Sequence, residues 1–252
     1  MIPSPAPSRR AVATVSVVGA GRLGTAMARA LTEAGLTVNG PFRRGERARR
    51  ADVVLLCVPD AEIAGAARAH AGIGRRLGHT SGATPIQDVD FGLHPLQTFL
   101  GGEGLAAFRG IGCAVAAHDH DGLGVARDLV DALGARAFVI DDGARGSYHA
   151  AASIASNYLV TLEDAAEQVA AATGLSPAET RALFAPLVRS TVENWAAHGA
   201  ASSLTGPIAR GDEATVDSQR AAVAEHAPAL LPLFDVLAER TRALAARKEP
   251  SP

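Results

Sequence analysis

The stretch Val12-Ala13-Thr14-Val15-Ser16-Val17-Val18-Gly19-Ala20-Gly21-Arg22-Leu23-Gly24 decides the fold. Its apolar, β-branched positions (Val12, Val15, Val17, Val18) predict a strand that stops at the glycines. Thr25 to Ala34 are good helix formers, so the order is strand, glycine turn, helix, with the glycines in G-x-G-x-x-G spacing. In that arrangement Gly19 permits the tight turn, Gly21 lets the backbone approach a pyrophosphate, and Gly24 lets the helix lie close to the strand. Ala20, Arg22 and Leu23 belong to the same turn, and the helix N-terminus offers free N–H groups to phosphate. The stretch predicts a dinucleotide site.

The next two strands sharpen that expectation. Gly35-Leu36-Thr37-Val38 reads as a short second strand, and an acidic residue at its end would hold the ribose 2′-hydroxyl of NAD. The chain instead continues Asn39-Gly40, with Arg43 and Arg44 in the loop. Guanidinium forks bind phosphate with two parallel bonds, so the pair favours NADP, although Arg47, Arg49 and Arg50 extend a charge run that could be a solvated loop. Ala51 to Val58 is the apolar run of a strand buried on both faces. The loop after it, Val58-Pro59-Asp60, is expected to pass over the nicotinamide side of the cofactor.

A helix over about 61–71 comes next, then strands at Leu77–Gly82, Phe91–Phe99, Ile111–Ala117 and Ala137–Ile140, with a helix from about Gly122 to Leu133. Alternating strands and helices predict an α/β fold with a doubly wound parallel sheet. From Ser147 the pattern is helical only. Ala151, Ile154, Ala155, Tyr158, Leu162, Ala165, Ala166 and Val169 share one side of a long helix. His149, Ser153, Asn157 and their neighbours share the other, an uncharged polar ladder suited to a cleft and equally compatible with an exposed face. Ser176 and Pro177 are placed to start a further helix, and Asp212 to cap another. The expected division is a flexible leader over 1–11, a dinucleotide-binding domain over 12–145 and a helical domain over 146–247.

Composition narrows the classes. The chain has 252 residues, 48% hydrophobic and 20% charged, enough for a sizeable core, but with 4% aromatic residues that core must be filled by Ala, Val and Leu. A net charge of -2 and no basic run interleaved with aromatics argue against nucleic acid. The first residues lack the apolar core of a signal peptide, and the longest apolar run is too short to cross a bilayer. Cys57 and Cys113 both fall in apparent strands, which suits a reducing compartment. A cytoplasmic protein without membrane contact is expected. His118 and His120, flanked by Asp119 and Asp121, read as a solvated loop rather than a metal site.

Four motifs carry a family resemblance: His79-Thr80-Ser81-Gly82, His94-Pro95-Leu96-Gln97-Thr98-Phe99, Tyr148-His149-Ala150-Ala151 with Ser156-Asn157-Tyr158, and Leu204-Thr205-Gly206-Pro207-Ile208-Ala209-Arg210-Gly211-Asp212. The chain resembles proteins that join a Rossmann-like domain to the domain of unknown function 2520. That group is similar to 6-phosphogluconate and β-hydroxyacid dehydrogenases, ketopantoate reductase and pyrroline-5-carboxylate reductase. The resemblance implies an NADP-binding first domain and an all-helical, 6-phosphogluconate-dehydrogenase-like second domain that often forms a homodimer. One departure stands out. The catalytic lysine of the β-hydroxyacid dehydrogenases precedes an asparagine by four residues, and counting back from Asn157 lands on Ser153. The single lysine of the chain is Lys248. Gln219 stands where a histidine is expected.

Hydride transfer to a carbonyl or imine needs a proton donor beside the developing alkoxide or amine. His94 and His149 are the candidates, His94 at a strand's carboxyl end and His149 on the expected cleft face. Ser153 and Asn157 are expected to position substrate, and Thr80 and Ser81 to donate to the cofactor. Arg210, in the Thr205-Gly206-Pro207 turn, is an anion clamp unless it pairs with Asp212. The expected activity is reduction of a small, anionic C=O or C=N compound by NADPH in a cleft between the domains. A non-catalytic NADP-binding sensor or partner protein, and transfer to a deazaflavin, remain open beside it.

Overall fold

A computed structural model describes residues 12–247. The 1–11 leader, the last five positions and Lys248 among them lie outside the described residues. Strand β1 (Thr14–Val18) leads through the glycine turn into helix α1 (Arg22–Glu33). Then come β2 (Thr37–Phe42), β3 (Ala51–Leu56), α2 (Ile63–His70), β4 (Gly74–His79), β5 (Phe91–Pro95), β6 (Gly112–Ala117), α3 (His120–Ala132), β7 (Arg136–Val139) and α4 (Arg145–Ala155). The strands form a seven-stranded sheet in the order β2-β1-β3-β4-β5-β6-β7. The chain leaves β1 for β2 on one side and returns to β3 on the other, so the sheet order reverses at β1. Ligands of open α/β sheets bind at that point, beyond the carboxyl ends of the strands.

β3 shows why the sheet is buried on both faces. Val53 and Leu55 pack with Met27 and Leu31 of α1 and Leu129 of α3, whereas Val54 and Leu56 pack with Ile63 and Ala67 of α2. Successive side chains of a strand point to opposite faces, so a continuous apolar run needs cover on each side. Phe91, Phe108, Leu93 and Val115 extend the first cluster beneath β5 and β6.

The sheet departs from the sequence expectation in two places. It is not wholly parallel: β5 and β6 pair antiparallel. The connection between these two strands holds only a short turn of helix, Leu105–Ala107, and not the full crossover helix that usually joins a parallel pair. β4 also ends at His79, leaving Thr80-Ser81-Gly82 as the loop beyond its carboxyl end. The Ser81 hydroxyl accepts from the amides of Ala83 and Thr84, which turns the chain there.

The long helix expected from Ser147 is two helices. At Ser156 the backbone leaves the helical region (φ -120°, ψ -69°), and α5 starts at Asn157. Serine and asparagine are poor in helix interiors because their side chains compete for the backbone. The chain divides into two compact units at the same place, after Ser156, so α4 stays with the sheet. The cause lies in its first turns, where Arg145 bonds to Ser81 in the loop after β4 and Tyr148 bonds to His94 of β5. The second unit holds α5 (Asn157–Ala170), α6 (Pro177–His198), α7 (Ala200–Ser203), α8 (Pro207–Arg210), α9 (Glu213–His226) and α10 (Leu231–Ala245). α6 begins with a full capping box, Ser176 against Glu179, with Pro177 at the first helical position. Asp212 caps α9 through the Thr215 amide.

Candidate functional site

The glycine turn fills its expected place at the carboxyl end of β1. A Cβ built on Gly19 would lie 2.2 Å from the Cys57 carbonyl oxygen, and one on Gly24 would lie 1.8 Å from the Gly19 oxygen. These two are therefore fixed by packing. Gly21 differs: a Cβ there would meet nothing within 4 Å. It is the N-cap of α1 and supplies no side chain to the helix's first N–H groups. Those groups and the open face of Gly21 form a cradle suited to phosphate.

Beside the cradle is a cavity of about 500 Å³, lined by Gly19, Ala20, Gly21, Arg43, Arg44, Val58, Pro59 and one side of α2. Arg43 and Arg44 stand at its rim, each next to a carboxylate. The Arg43 amide donates to Glu46 (2.6 Å), and the Arg44 guanidinium pairs with Glu62. Arg22 begins α1 and is exposed, and Leu23 is half-buried against the core. Asp60 opens the helical turn after β3. Thr80 is aimed away from this crevice: it is 5% exposed, and both its amide and its hydroxyl donate to the Leu56 carbonyl. The Ser81 amide donates to Nδ1 of His79 (3.2 Å), so it too is engaged.

A second group of side chains gathers beyond β4 and β5. His94 is half-buried near the end of β5, with Tyr148 Oη 2.7 Å from its Nδ1. The ring of His149 lies 6.3 Å from that of His94, inclined at 70°. Gly82 lies beneath both: a Cβ there would approach His94 Nε2 to 3.0 Å and His149 Cδ2 to 3.1 Å. Any larger residue would push the two rings away.

Burial, reinforced by the charges of His149 and Arg145, lowers His94 to about 4, so its ring is neutral near pH 7. Burial raises Tyr148 to about 12, so the phenol keeps its proton. A phenol donating to Nδ1 leaves the neutral ring its own proton at Nε2, the atom that faces Gly82.

Arg145 anchors this group. It is 2% exposed, its Nε donates to Asp142 (2.5 Å), and its Nη1 donates to the Ser81 carbonyl (3.1 Å). Asp142 also accepts from the Ile86 amide, and Arg145 helps to keep its carboxyl below the usual range. Gly92 leaves the room for the guanidinium, since a Cβ there would lie 2.6 Å from Nη2.

His94 and His149 were thus legible as candidates and lie together, with Ser153 on the same helix as His149. Tyr148 and Gly82 stand in the resemblance motifs without a site role, and Arg145 and Asp142 are not singled out by the sequence. The Tyr148-His149 pair in the sequence was the available signal for the first; a buried arginine gives none. In the second unit Asn157 opens α5 and is exposed. Thr205 and Gly206 precede Pro207, the first residue of α8, and Arg210 ends that helix, exposed. The Asp212 carboxylate is held by the Thr215 hydroxyl and amide, and the nearby Arg210 charge helps to lower its pKa. Gln219 lines an apolar cavity of about 540 Å³ with Phe184, Phe234 and Leu237. His118 bonds to the Ile86 carbonyl, and Asp119 caps α3 and pairs with Arg76.

Comparison with known proteins matches residues 111–241, just over half of the chain, to a domain of unknown function, DUF2520. The chain belongs to that family. No curated protein matches this DUF2520 chain significantly in sequence. Among solved structures it is similar to a candidate NADP oxidoreductase of Bacteroides fragilis (20% identity, TM-score 0.77, covering 92% of this chain and 98% of that one). A protein of Thermotoga maritima is similar at 25% identity and TM-score 0.73, with the same coverage of 92% and 98%. The pyrroline carboxylate reductase of Plasmodium falciparum, solved with NADP bound, is similar at 12% identity and TM-score 0.61, covering 94% and 99%. These likenesses show a Rossmann sheet followed by a helical domain.

Proposed function

We propose that this DUF2520 protein is an NADP-dependent oxidoreductase that reduces a small, anionic C=O or C=N compound. The observation that carries the reading is the neutral His94, held by Tyr148 at the carboxyl end of β5, in the same sheet as the glycine cradle at the end of β1. Asp60, at the start of the helical turn after β3, raises the pKa of His94 against the effect of burial, which still leaves the ring neutral. The NADP-bound and NADP-named relatives support the cofactor.

The residues fit a dinucleotide. The open face of Gly21 and the α1 N-terminus take the pyrophosphate, Arg43 and Arg44 the 2′-phosphate, and Val58 and Pro59 the wall of the cavity. When bound, NADPH supplies a hydride to the substrate carbon. His94 Nε2–H then donates to the oxygen or nitrogen where negative charge develops, and Tyr148 keeps the ring in that tautomer. A neutral imidazole acts here as a hydrogen-bond donor rather than as an imidazolium acid. His149, exposed and beside His94, is placed to bring in the proton that completes the reduction. The buried Arg145 charge is felt at both His79 and His94, which favours an anionic substrate.

The test is calorimetric titration with NADPH and NADH, followed by a screen of keto acids and cyclic imines for NADPH oxidation. The Arg43→Ala, Arg44→Ala double variant should lose at least about tenfold in NADPH affinity, as expected for lost charged hydrogen bonds, and little in NADH affinity. The second reading, a non-catalytic NADP sensor, is favoured by the absence of lysine among the described residues. Tight NADPH binding with no turnover across the screen would select it.

A further inference from the structure

Of the two arginines at the rim of the cofactor cavity, only one has a free side chain. The Arg43 guanidinium has no hydrogen-bond or ion-pair partner among the described residues, and only its backbone amide is engaged, by Glu46. Arg44 is held. Its guanidinium pairs with the Glu62 carboxylate, and both residues line the cavity. The pair is unequal: the Arg44 side chain is 83% exposed and that of Glu62 37%. Glu62 is the N-cap of α2, and its amide donates to the Pro59 carbonyl, so its backbone is fixed and the long arginine reaches over to it. An ion pair this exposed adds about 0–1 kcal/mol, so the fold gives little reason for a carboxylate at this place.

We infer that Glu62 is a specificity-determining residue that limits how strongly the site prefers NADPH over NADH. This rests on the reading of Arg43 and Arg44 as the 2′-phosphate side of the same cavity, and adds what works against that phosphate. A carboxylate and a phosphate are both oxyanions that accept from the guanidinium fork, so Glu62 already holds what the phosphate would take. To use Arg44, the phosphate must displace Glu62 or share the guanidinium with it. Either way about two negative charges come to lie beside a third. NADH carries a neutral hydroxyl at that position and meets no such repulsion. The cost therefore falls on one cofactor only. Arg43, whose guanidinium has no counter-ion among the described residues, supplies the preference for NADPH that remains.

The experiment is equilibrium titration of the full chain with NADPH and with NADH, in wild type, in Glu62→Gln and in the Arg43→Ala, Arg44→Ala double variant. Glu62→Gln keeps the shape and an acceptor oxygen and removes the charge. It is expected to bind NADPH about fivefold more tightly than wild type, the effect of like charges a guanidinium's width apart in water. Its NADH affinity should stay within about twofold. The gain should shrink as salt rises from about 0.05 M to about 0.5 M, because exposed charges are screened. Damage to the fold weakens binding, so a selective, salt-sensitive gain separates this role from a structural one. NADPH affinity unchanged or weaker in Glu62→Gln, or an equal gain for both cofactors, would overturn the inference. The cofactor reading would still stand if the double variant lost NADPH affinity. Binding of neither dinucleotide by wild type, or undiminished NADPH affinity in the double variant, would overturn both.

Discussion

Tyr148 and His94 form a closed pair, phenol oxygen to Nδ1 at 2.7 Å, contributed by the first turns of α4 and the end of β5. The bond joins a helix to a strand edge and also sets which nitrogen of the imidazole bears the proton. Tyr148→Phe removes the donor and keeps the ring packing against Phe138. The expected result is a loss of about tenfold in turnover, the effect of one hydrogen bond of about 1–1.5 kcal/mol, with NADPH affinity unchanged. Steady-state kinetics beside a binding titration separate the two. A parallel fall in NADPH affinity would show that Tyr148 supports the cofactor cavity instead.

The depressed pKa of His94 predicts a pH dependence of stability. In the unfolded chain the ring titrates near 6.5, and in the folded chain at about 4. Between those values the unfolded state binds more protons, so stability rises with pH. It is fully present above 6.5, is lost progressively as pH falls, and the loss is complete only below about pH 4. The loss is about 3 kcal/mol from His94. His79, also lowered by burial, adds to it in the same direction. Urea unfolding of wild type and His94→Gln between pH 4.5 and 7.5 checks this, and the variant should show the shallower slope. Equal slopes would place His94 in contact with solvent.

The glycines of the turn should separate folding from binding. Gly24→Ala puts a methyl 1.8 Å from a backbone oxygen that cannot move aside without dismantling the turn. A loss of more than about 3 kcal/mol is expected, visible as a collapse of the melting temperature. Gly21→Ala meets nothing in the protein and its φ of -76° suits alanine. Its melting temperature should stay within a few degrees while NADPH affinity falls at least about tenfold, because the methyl occupies the phosphate's approach. An unchanged affinity would remove Gly21 from the cofactor site.

Much of this was legible in the sequence because local chemistry and global fold agree there. The Val12–Gly24 stretch fixes strand, turn and helix by period and glycine spacing, and the apolar Ala51–Val58 run fixes a central strand. Ser176-Pro177 and Asp212 announced their helix starts through side-chain chemistry. The antiparallel β5–β6 pair was not legible, since strand direction depends on the path between strands and not on either strand's pattern. The break at Ser156 was hidden because an amphipathic period carries on through it. The Arg145–Asp142 pair was hidden for another reason. Burial of a charge is decided by residues distant in sequence, here Ser81 and Gly92, and no spacing rule reports it.

Arg145 offers the last test. Its side chain is 3% exposed while that of Asp142 is 37% exposed, so the pair is asymmetric: the cation is committed and the anion is partly solvated. Removing the arginine leaves Asp142 with water and the Ile86 amide, whereas removing the aspartate leaves a buried guanidinium short of its counter-charge. The second is the costlier change, because an uncompensated buried charge loses several kcal/mol and a partly exposed one much less. Asp142→Asn should therefore destabilise by about 3 kcal/mol, and Arg145→Met by less. The two also differ in their effect on His94. Arg145→Met takes away a charge that helps to keep that ring neutral, so His94 should titrate higher, whereas Asp142→Asn leaves the cation in place. Denaturant unfolding ranks the stabilities, and the histidine ring resonances followed by NMR against pH read the titration. The reverse order of stabilities would mean that Arg145 works chiefly by filling the space beside Gly92 rather than through its charge.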